Sequence, residues 1–256
     1  MPYRLKNMLT EAAARMGYSV VPAWRMERHA VTEYMKSLFE LLAIDCVLDV
    51  GANQGQYRNF LRSEVEFTGT IVSFEPIPRH VAEMRARADT DAKWIIEGYA
   101  LGDTPGKTMF NVMVGTQFSS FLQPDHSVLQ RFQGSNDVQE KVEVEIRTLD
   151  SALRSLEQRG PLGNLFLKMD TQGFDLEVLK GGAMTLQRVC ALQSEASVKP
   201  IYVGMPSYTT TIEAIQALDF ELSGIYPNNA GHFPLLVEFD CYFIAKRCVP
   251  EFAWRG

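Results

Sequence analysis

The sequence has no concentrated run of Lys and Arg. Across 256 residues the formal net charge is −6 and the basic side chains are scattered. Neutralising a phosphate backbone needs a basic face, so nucleic acid is disfavoured as the main partner. Cysteine is scarce: Cys46, Cys190, Cys241 and Cys248 lie far apart, and no pair has the spacing of a metal or redox motif. They read as buried, reduced thiols, the first three inside apolar strands. No apolar run approaches bilayer length, and Arg4, Lys6, Glu11 and Arg15 interrupt any signal-peptide core. A soluble, cytoplasmic chain is the expectation. Internal repeats and low-complexity segments are also missing. With 46% apolar and 22% charged residues, the chain can bury a full core, and one main domain over 44–256 with an N-terminal helical cap over 1–43 is expected.

The chain is organised around Val47 to Tyr57, VLDVGANQGQY. An apolar run, Cys46 to Val50, breaks into Gly51, Ala52, Asn53, Gln54 and Gly55 before a helical segment. Glycine lets a ligand approach the main chain closely, and the first amides of the following helix are expected to point at that gap. The spacing is G-x-N-x-G, not the G-x-G-x-x-G of dinucleotide enzymes, and Asp49 sits just before the first glycine. That combination favours a nucleoside with an amino acid tail over a pyrophosphate.

Residues 1 to about 43 carry helical spacing in two runs separated by Gly17 to Pro22, a cap or part of a substrate or dimer surface. From Cys46 strands and helices alternate. Strands are predicted at Cys46–Val50, Thr70–Phe74 and Lys93–Glu97, the last running on to Ala100, with helices over 54–62 and 79–88 between them. This pattern argues for a doubly wound, mostly parallel α/β sheet. Lys107–Val114 and Val142–Thr148 read as an antiparallel β insert, about 104–148, forming a flap near the ligand. Then follow a helix over 150–158, a strand Leu165–Met169, a helix over 174–186 with a break at Gly181-Gly182, and a strand Cys190–Ser194. A capping box, Thr210-x-x-Glu213, is expected to start the next helix. The last strands are Glu221–Tyr226 and Val237–Ala245.

Glu75, in Phe74-Glu75-Pro76, falls about twenty residues after Gly55 and can accept two hydrogen bonds from ribose hydroxyls. Tyr99-Ala100-Leu101-Gly102-Asp103 lies where an adenine would be sandwiched. Taken together, VLDVGANQGQY, FEP, GYALGD, Ser119-Ser120, RTLDS at 147–151 and LKMDTQGFDLEVLKGG at 167–182 resemble the successive blocks of the FkbM family of S-adenosylmethionine-dependent methyltransferases. The blocks keep the family's order over roughly 46–246. Thr171, Asp175 and Gly182 depart from its commoner residues without disturbing the cofactor assignment.

The resemblance implies a class I methyltransferase fold of seven strands with the last antiparallel, and O-methylation of sugar or polyketide hydroxyls. It places Asp49, Gly51, Ala52, Asn53, Gly55, Gln56 and Tyr57 around the methionine part of the cofactor. Glu75 and the adjoining Pro76 fall at the ribose, and Ala100, Leu101 and Asp103 at the adenine. A hydroxyl is a poor nucleophile until deprotonated, so a base or metal is expected. Asp170, at the end of the fourth strand and facing the transferable methyl, is the leading candidate. Glu195 would lie beside it, and the two carboxylates could hold Mg²⁺. His232 is a second candidate base. Lys168 would pair with Asp170 or orient the substrate.

Acceptor recognition is expected from the N-terminal helices, residues 116–137 and the Tyr226–Phe233 loop. There Phe118, Phe121, Tyr226 and Phe233 either stack on sugar faces or fill the core, with packing favoured. The acceptor would be a small molecule or glycolipid, and a homodimer is compatible with the sequence. Two rivals stand beside this reading. A nicotinamide-dependent oxidoreductase is weakened by the missing G-x-G-x-x-G, whereas a non-catalytic nucleotide-binding scaffold of the same fold is not excluded by fold alone.

Overall fold

A computed structural model of the chain describes residues 12–13, 15–18, 20–22, 26–127, 132, 134–228 and 234–249. Most of the first predicted helix, and His232 and Phe233, lie outside the described residues. Ten strands follow in chain order: β1 (Cys46–Val50), β2 (Thr70–Phe74), β3 (Trp94–Glu97), β4 (Ala100–Leu101), β5 (Gly106–Met113), β6 (Val138–Arg147), β7 (Leu165–Met169), β8 (Val189–Ser197), β9 (Phe220–Pro227) and β10 (Glu238–Ala245). The helices are α1 (Met26–Leu41), α2 (Gln56–Phe60), α3 (Pro78–Ala88), α4 (Leu149–Glu157), α5 (Asp175–Lys180), α6 (Ala183–Leu186) and α7 (Tyr208–Gln216).

Seven strands form one sheet in the order β3-β2-β1-β7-β8-β10-β9. Neighbours pair in parallel except β10, which runs antiparallel to both β8 and β9. This is the class I methyltransferase arrangement. The five residues of β1 are all buried, as a parallel strand covered on both faces requires. Cys46, Leu48 and Val50 pack with Leu153, Val178, Leu186 and Ile215 on one face. Val47 packs with Met35, Leu61, Met84 and Phe166 on the other. Each such aliphatic side chain contributes about 1.5–3 kcal/mol by leaving water.

Three local expectations are corrected. Ala100 does not extend β3; it starts β4, which pairs with β6 in a separate three-stranded sheet, β4-β6-β5. The helix after the glycine loop begins at Gln56 and continues as a π-helical turn, Leu61–Val65. Helix α7 starts at Tyr208 because Ser207, not Thr210, is its cap: the Ser207 hydroxyl accepts from the Thr210 N–H. The predicted insert is the β5–β6 hairpin, antiparallel over Gly106 to Met113. The break between α5 and α6 falls at Gly181-Gly182 as expected.

Candidate active site

Side chains in register on adjacent strands share a face. One register row crosses five strands, near the carboxyl ends of β2, β1 and β7 and mid-way along β8 and β10: Ser73, Asp49, Lys168, Gln193 and Tyr242. It is a polar stripe set into an otherwise apolar layer, and its members satisfy one another. Ser73 Oγ donates to Asp49 Oδ2 at 3.1 Å, and Trp94 Nε1 donates to Ser73 Oγ at 3.0 Å. Lys168 Nζ lies 3.2 Å from Asp49 Oδ1 and 3.5 Å from Asp170 Oδ2. Burial works against the ammonium, but Asp49 and Asp170 outweigh it and hold Lys168 well above the ordinary lysine range. Tyr57 closes the row, donating to Gln193 Oε1 at 2.7 Å. Asp49 is fully buried, and its Oδ1 accepts no hydrogen bond within the protein beyond that charge contact.

The glycine loop turns here for a steric reason. Gly51 has φ 79°, and a Cβ on it would stand 2.0 Å from the Asp170 carbonyl oxygen. Only glycine lets the ends of β1 and β7 come this close. The loop's own amides are taken within the protein. Gly51 and Ala52 both donate to the Phe74 carbonyl, Asn53 to Glu75 Oε2, Gln54 to Gln56 Oε1, and Gly55 to the Ala52 carbonyl. The helix that follows starts at Gln56, and Gln56 and Tyr57 border the gap.

Glu75 is 3% exposed. Its two oxygens accept from the Asn53 and Ile77 amides, each at 2.8 Å. Burial nevertheless pushes its carboxyl up to about 8. Each oxygen keeps a further lone pair, the requirement for holding a vicinal diol. His80 is buried in the core, with its Nδ1 3.9 Å from Glu75 Oε1. Beyond Glu75 stand Ile77, Ala100, Leu101 and a ring cluster in which Phe121 meets Phe110 at 4.8 Å and Phe174 at 4.7 Å. Thr116 of the insert donates to Asn53 Oδ1 at 3.2 Å, which carries the insert over the loop.

On the other side of Lys168 the carboxylates gather. Gln172 Nε2 donates to Asp170 Oδ1 at 3.0 Å and to Glu195 Oε2 at 2.9 Å. Asn228 Nδ2 donates to Glu195 Oε1 at 3.0 Å and Asp240 Oδ1 at 3.3 Å. Burial, reinforced by Asp170, pushes Glu195 well above the carboxylate range. Burial raises Asp240 to about 6 and Glu238 to about 7, with Asp170 adding to both. Asp170 and Glu195 are thus side by side, but an amide group fills the gap where Mg²⁺ was expected. Among the described residues no group of three or more His, Cys, Asp or Glu side chains is arranged to hold a metal ion. The donor set does not support the metal.

These parts border one continuous cavity of about 670 Å³. Gly51, Ala52, Asn53, Gln56, Tyr57, Glu75, Pro76, Ala100, Leu101, Lys168 and Asp170 line it. Asp49 lies beneath the wall, reached through Lys168. Gly55 is turned away against the Trp94 ring. Asp103 is exposed and does not border the cavity, and Glu195 stands behind Gln172. Sequence reasoning missed Phe110, Gln193 and Asp240, all lining residues, whereas Thr116 and Asn228, which also line the cavity, fall in stretches expected to meet the acceptor. Asp240 alone carried a readable signal, as a charge inside the apolar run of the last strand. Among the acceptor aromatics, Tyr226 packs on Tyr34 at 5.3 Å and Tyr242 at 5.6 Å, and Phe118 on Phe132 at 5.4 Å. Ring packing, the favoured reading, accounts for all three described residues, while Tyr226 and Phe121 also border the cavity.

With this geometry in hand, the model of one family, the methyltransferase FkbM domain, matches residues 49–222. No curated protein matches. Among solved structures, a methyltransferase FkbM from Methylobacillus flagellatus KT aligns with a TM-score of 0.49 and 16% identity, covering 78% of this chain and 43% of that one. This chain therefore spans less than half of that protein. Aeropyrum pernix fibrillarin, solved with natively bound S-adenosyl-L-methionine, aligns with a TM-score of 0.46 and 12% identity over 84% of this chain and 74% of its own. At these identities the likeness concerns the fold alone.

Proposed function

Because this chain belongs to the FkbM methyltransferase family, we propose that it is an S-adenosylmethionine-dependent O-methyltransferase acting on a hydroxyl of a sugar, glycolipid or other secondary-metabolite acceptor. One observation carries the reading: a single cavity runs from the buried Glu75 carboxylate, suited to a ribose, to a chamber lined by Asp170 and Asp240. When bound, the cofactor supplies an electrophilic methyl on a sulfonium.

The chain's own residues hold and orient. Glu75 accepts the ribose hydroxyls, and Ile77 and Leu101 flank the adenine together with the Phe121 cluster. The Asp170 carboxylate borders the cavity and favours the cationic end of the ligand, while Asp49 acts from beneath the wall by holding Lys168. Asp170 takes the proton from the acceptor hydroxyl, and Lys168, 3.5 Å from its Oδ2, orients it. General-base help of this kind supplies about 10²–10⁴ in rate. His232 remains the second candidate base. The chamber's amides and carboxylates, Gln193, Asn228 and Asp240, with the Tyr226 ring, suit a neutral polyhydroxyl ring. Its carboxylates repel an anionic acceptor. Free thiols at all four cysteines support a reducing, cytoplasmic setting.

A thermal-shift series separates this reading from its rivals. S-adenosylmethionine and S-adenosylhomocysteine should raise the melting temperature, and NAD and NADP should not. The reverse pattern would favour the oxidoreductase. A scaffold would bind the sulfur nucleosides yet transfer no labelled methyl to any sugar or glycolipid extract.

A further inference from the structure

Gln172 touches the proposed base, the carboxylate of Glu195 behind it, and the insert. Its side chain donates to Asp170 at 3.0 Å and Glu195 at 2.9 Å. Its Oε1 lies 3.0 Å from the Tyr202 hydroxyl, which is also 2.5 Å from the Phe118 carbonyl. Its own carbonyl accepts from Ser120 Oγ at 2.8 Å. The acids fix which end of the amide faces them: carboxylate oxygens accept, so the NH₂ group meets Asp170 and Glu195 and the oxygen is left to the Tyr202 hydroxyl.

The backbone makes the same point. Gln172 has φ 52°, a left-handed conformation that side chains resist, with Gly173 following at φ 93°. Glycine would take both places without strain. A turn needing only the shape would have no use for glutamine there, and strain of this kind gathers where a side chain must be held. The turn is separately anchored: Asp175 accepts from the Thr171 amide and hydroxyl and from Ser194 Oγ. Gln172 is therefore not needed to keep the turn folded.

We infer that Gln172 is a positioning residue: its amide clamps Asp170 and Glu195 into one fixed pair and couples that pair to the insert through Tyr202 and Ser120. The inference rests on the methyl-transfer reading, in which Asp170 meets the acceptor. With both oxygens engaged, one by the Gln172 amide and the other by Lys168, Asp170 has a single orientation from which to take a proton. The insert also reaches Asn53 through Thr116, so the segment over the glycine loop and the proposed base share one connected set of hydrogen bonds.

Gln172→Glu keeps the size and removes both donors. Transfer of labelled methyl from S-adenosylmethionine into a glycolipid and oligosaccharide extract should fall about 100-fold, the scale of a misplaced catalytic group. The rise in melting temperature with S-adenosylhomocysteine should stay. Gln172→Gly, which relieves the backbone, should fold and lose transfer alike, and Tyr202→Phe should lose it several-fold. Transfer at the wild-type rate by Gln172→Glu, or an equal loss of stabilisation by S-adenosylhomocysteine, overturns the positioning role. A second readout needs no acceptor. In ¹⁵N spectra the Gln172 side-chain NH₂, assigned by its disappearance in Gln172→Glu, should shift in both Asp170→Asn and Glu195→Gln. An amide that ignores both overturns the clamp. If wild-type protein neither transfers methyl nor gains stability from S-adenosylhomocysteine, the methyl-transfer reading falls, and the amide spectra still decide the clamp.

Discussion

The two ends of the cavity are built on one sheet edge but on opposite electrostatic terms. At the Glu75 end the polar groups are paired off within the protein: loop amides with the Phe74 carbonyl and Glu75, Ser73 with Asp49. At the Asp240 end Asp170, Glu195 and Asp240 share one ammonium and the side-chain amides of Gln172, Gln193 and Asn228, with the Glu238 carboxyl adding to the cluster. The first end is rigid and nearly neutral. The second carries charge it has not discharged, visible in carboxyls raised to about 6 and 7 at Asp240 and Glu238. A site of this kind fixes one ligand by shape and leaves the other to be recognised by polarity and proton transfer.

The contrast breaks most completely at Gly51. Gly51→Ala drives a Cβ into the Asp170 carbonyl and should cost about 3 kcal/mol or more in denaturant unfolding, with binding of S-adenosylhomocysteine lost. A variant of wild-type stability would mean that β1 and β7 do not meet as described. Asp170→Ala should separate the ends: turnover falls by about 10²–10⁴ while S-adenosylhomocysteine still binds. Unchanged turnover removes Asp170 from chemistry. Glu75→Ala should do the converse, weakening S-adenosylhomocysteine by about 10–100-fold in calorimetry, the worth of two buried hydrogen bonds to the ribose.

The smallest effect reads the stored charge itself. Asp240 and Glu238 have folded-state values above the ordinary carboxylate range, so the folded protein keeps protons that the unfolded chain has released. Stability of the free protein should therefore fall as pH rises from about 4 to 7. Asp240→Asn should make that fall shallower between about pH 4 and 6, seen as a denaturant midpoint that drops less than the wild-type one, with Glu238 still contributing. Stability that rises through this window would overturn the picture of a charged chamber.

Much of the frame was legible because it rests on local pattern. Cys46–Val50, Thr70–Phe74 and Leu165–Met169 read as strands to the residue, since a parallel strand buried on both faces is an unbroken apolar run. Glu75 and Asp170 were legible because they end such runs. What was not legible depends on register between distant segments. Asp240 faces Glu195 across the β8–β10 pairing, and nothing near either residue announces the other. Phe110 joins the site through the fold of an insert whose alternation tells strand from helix but not which way the hairpin leans. Ser207 won the cap from Thr210 because it lies one residue before Tyr208, where its hydroxyl reaches the Thr210 amide.

The reversal of β10 has a consequence for how the molecule comes into being. The chain is made from its amino end, so the glycine loop, Glu75 and Asp170 exist long before residue 238 leaves the ribosome. Until then β8 has β7 on one side and an open edge on the other. Because β10 lies between β8 and β9, its arrival both covers that edge and delivers Asp240. A chain cut short after α7 would keep the nucleoside half of the site and present a bare strand to its neighbours, the circumstance in which sheets join across molecules.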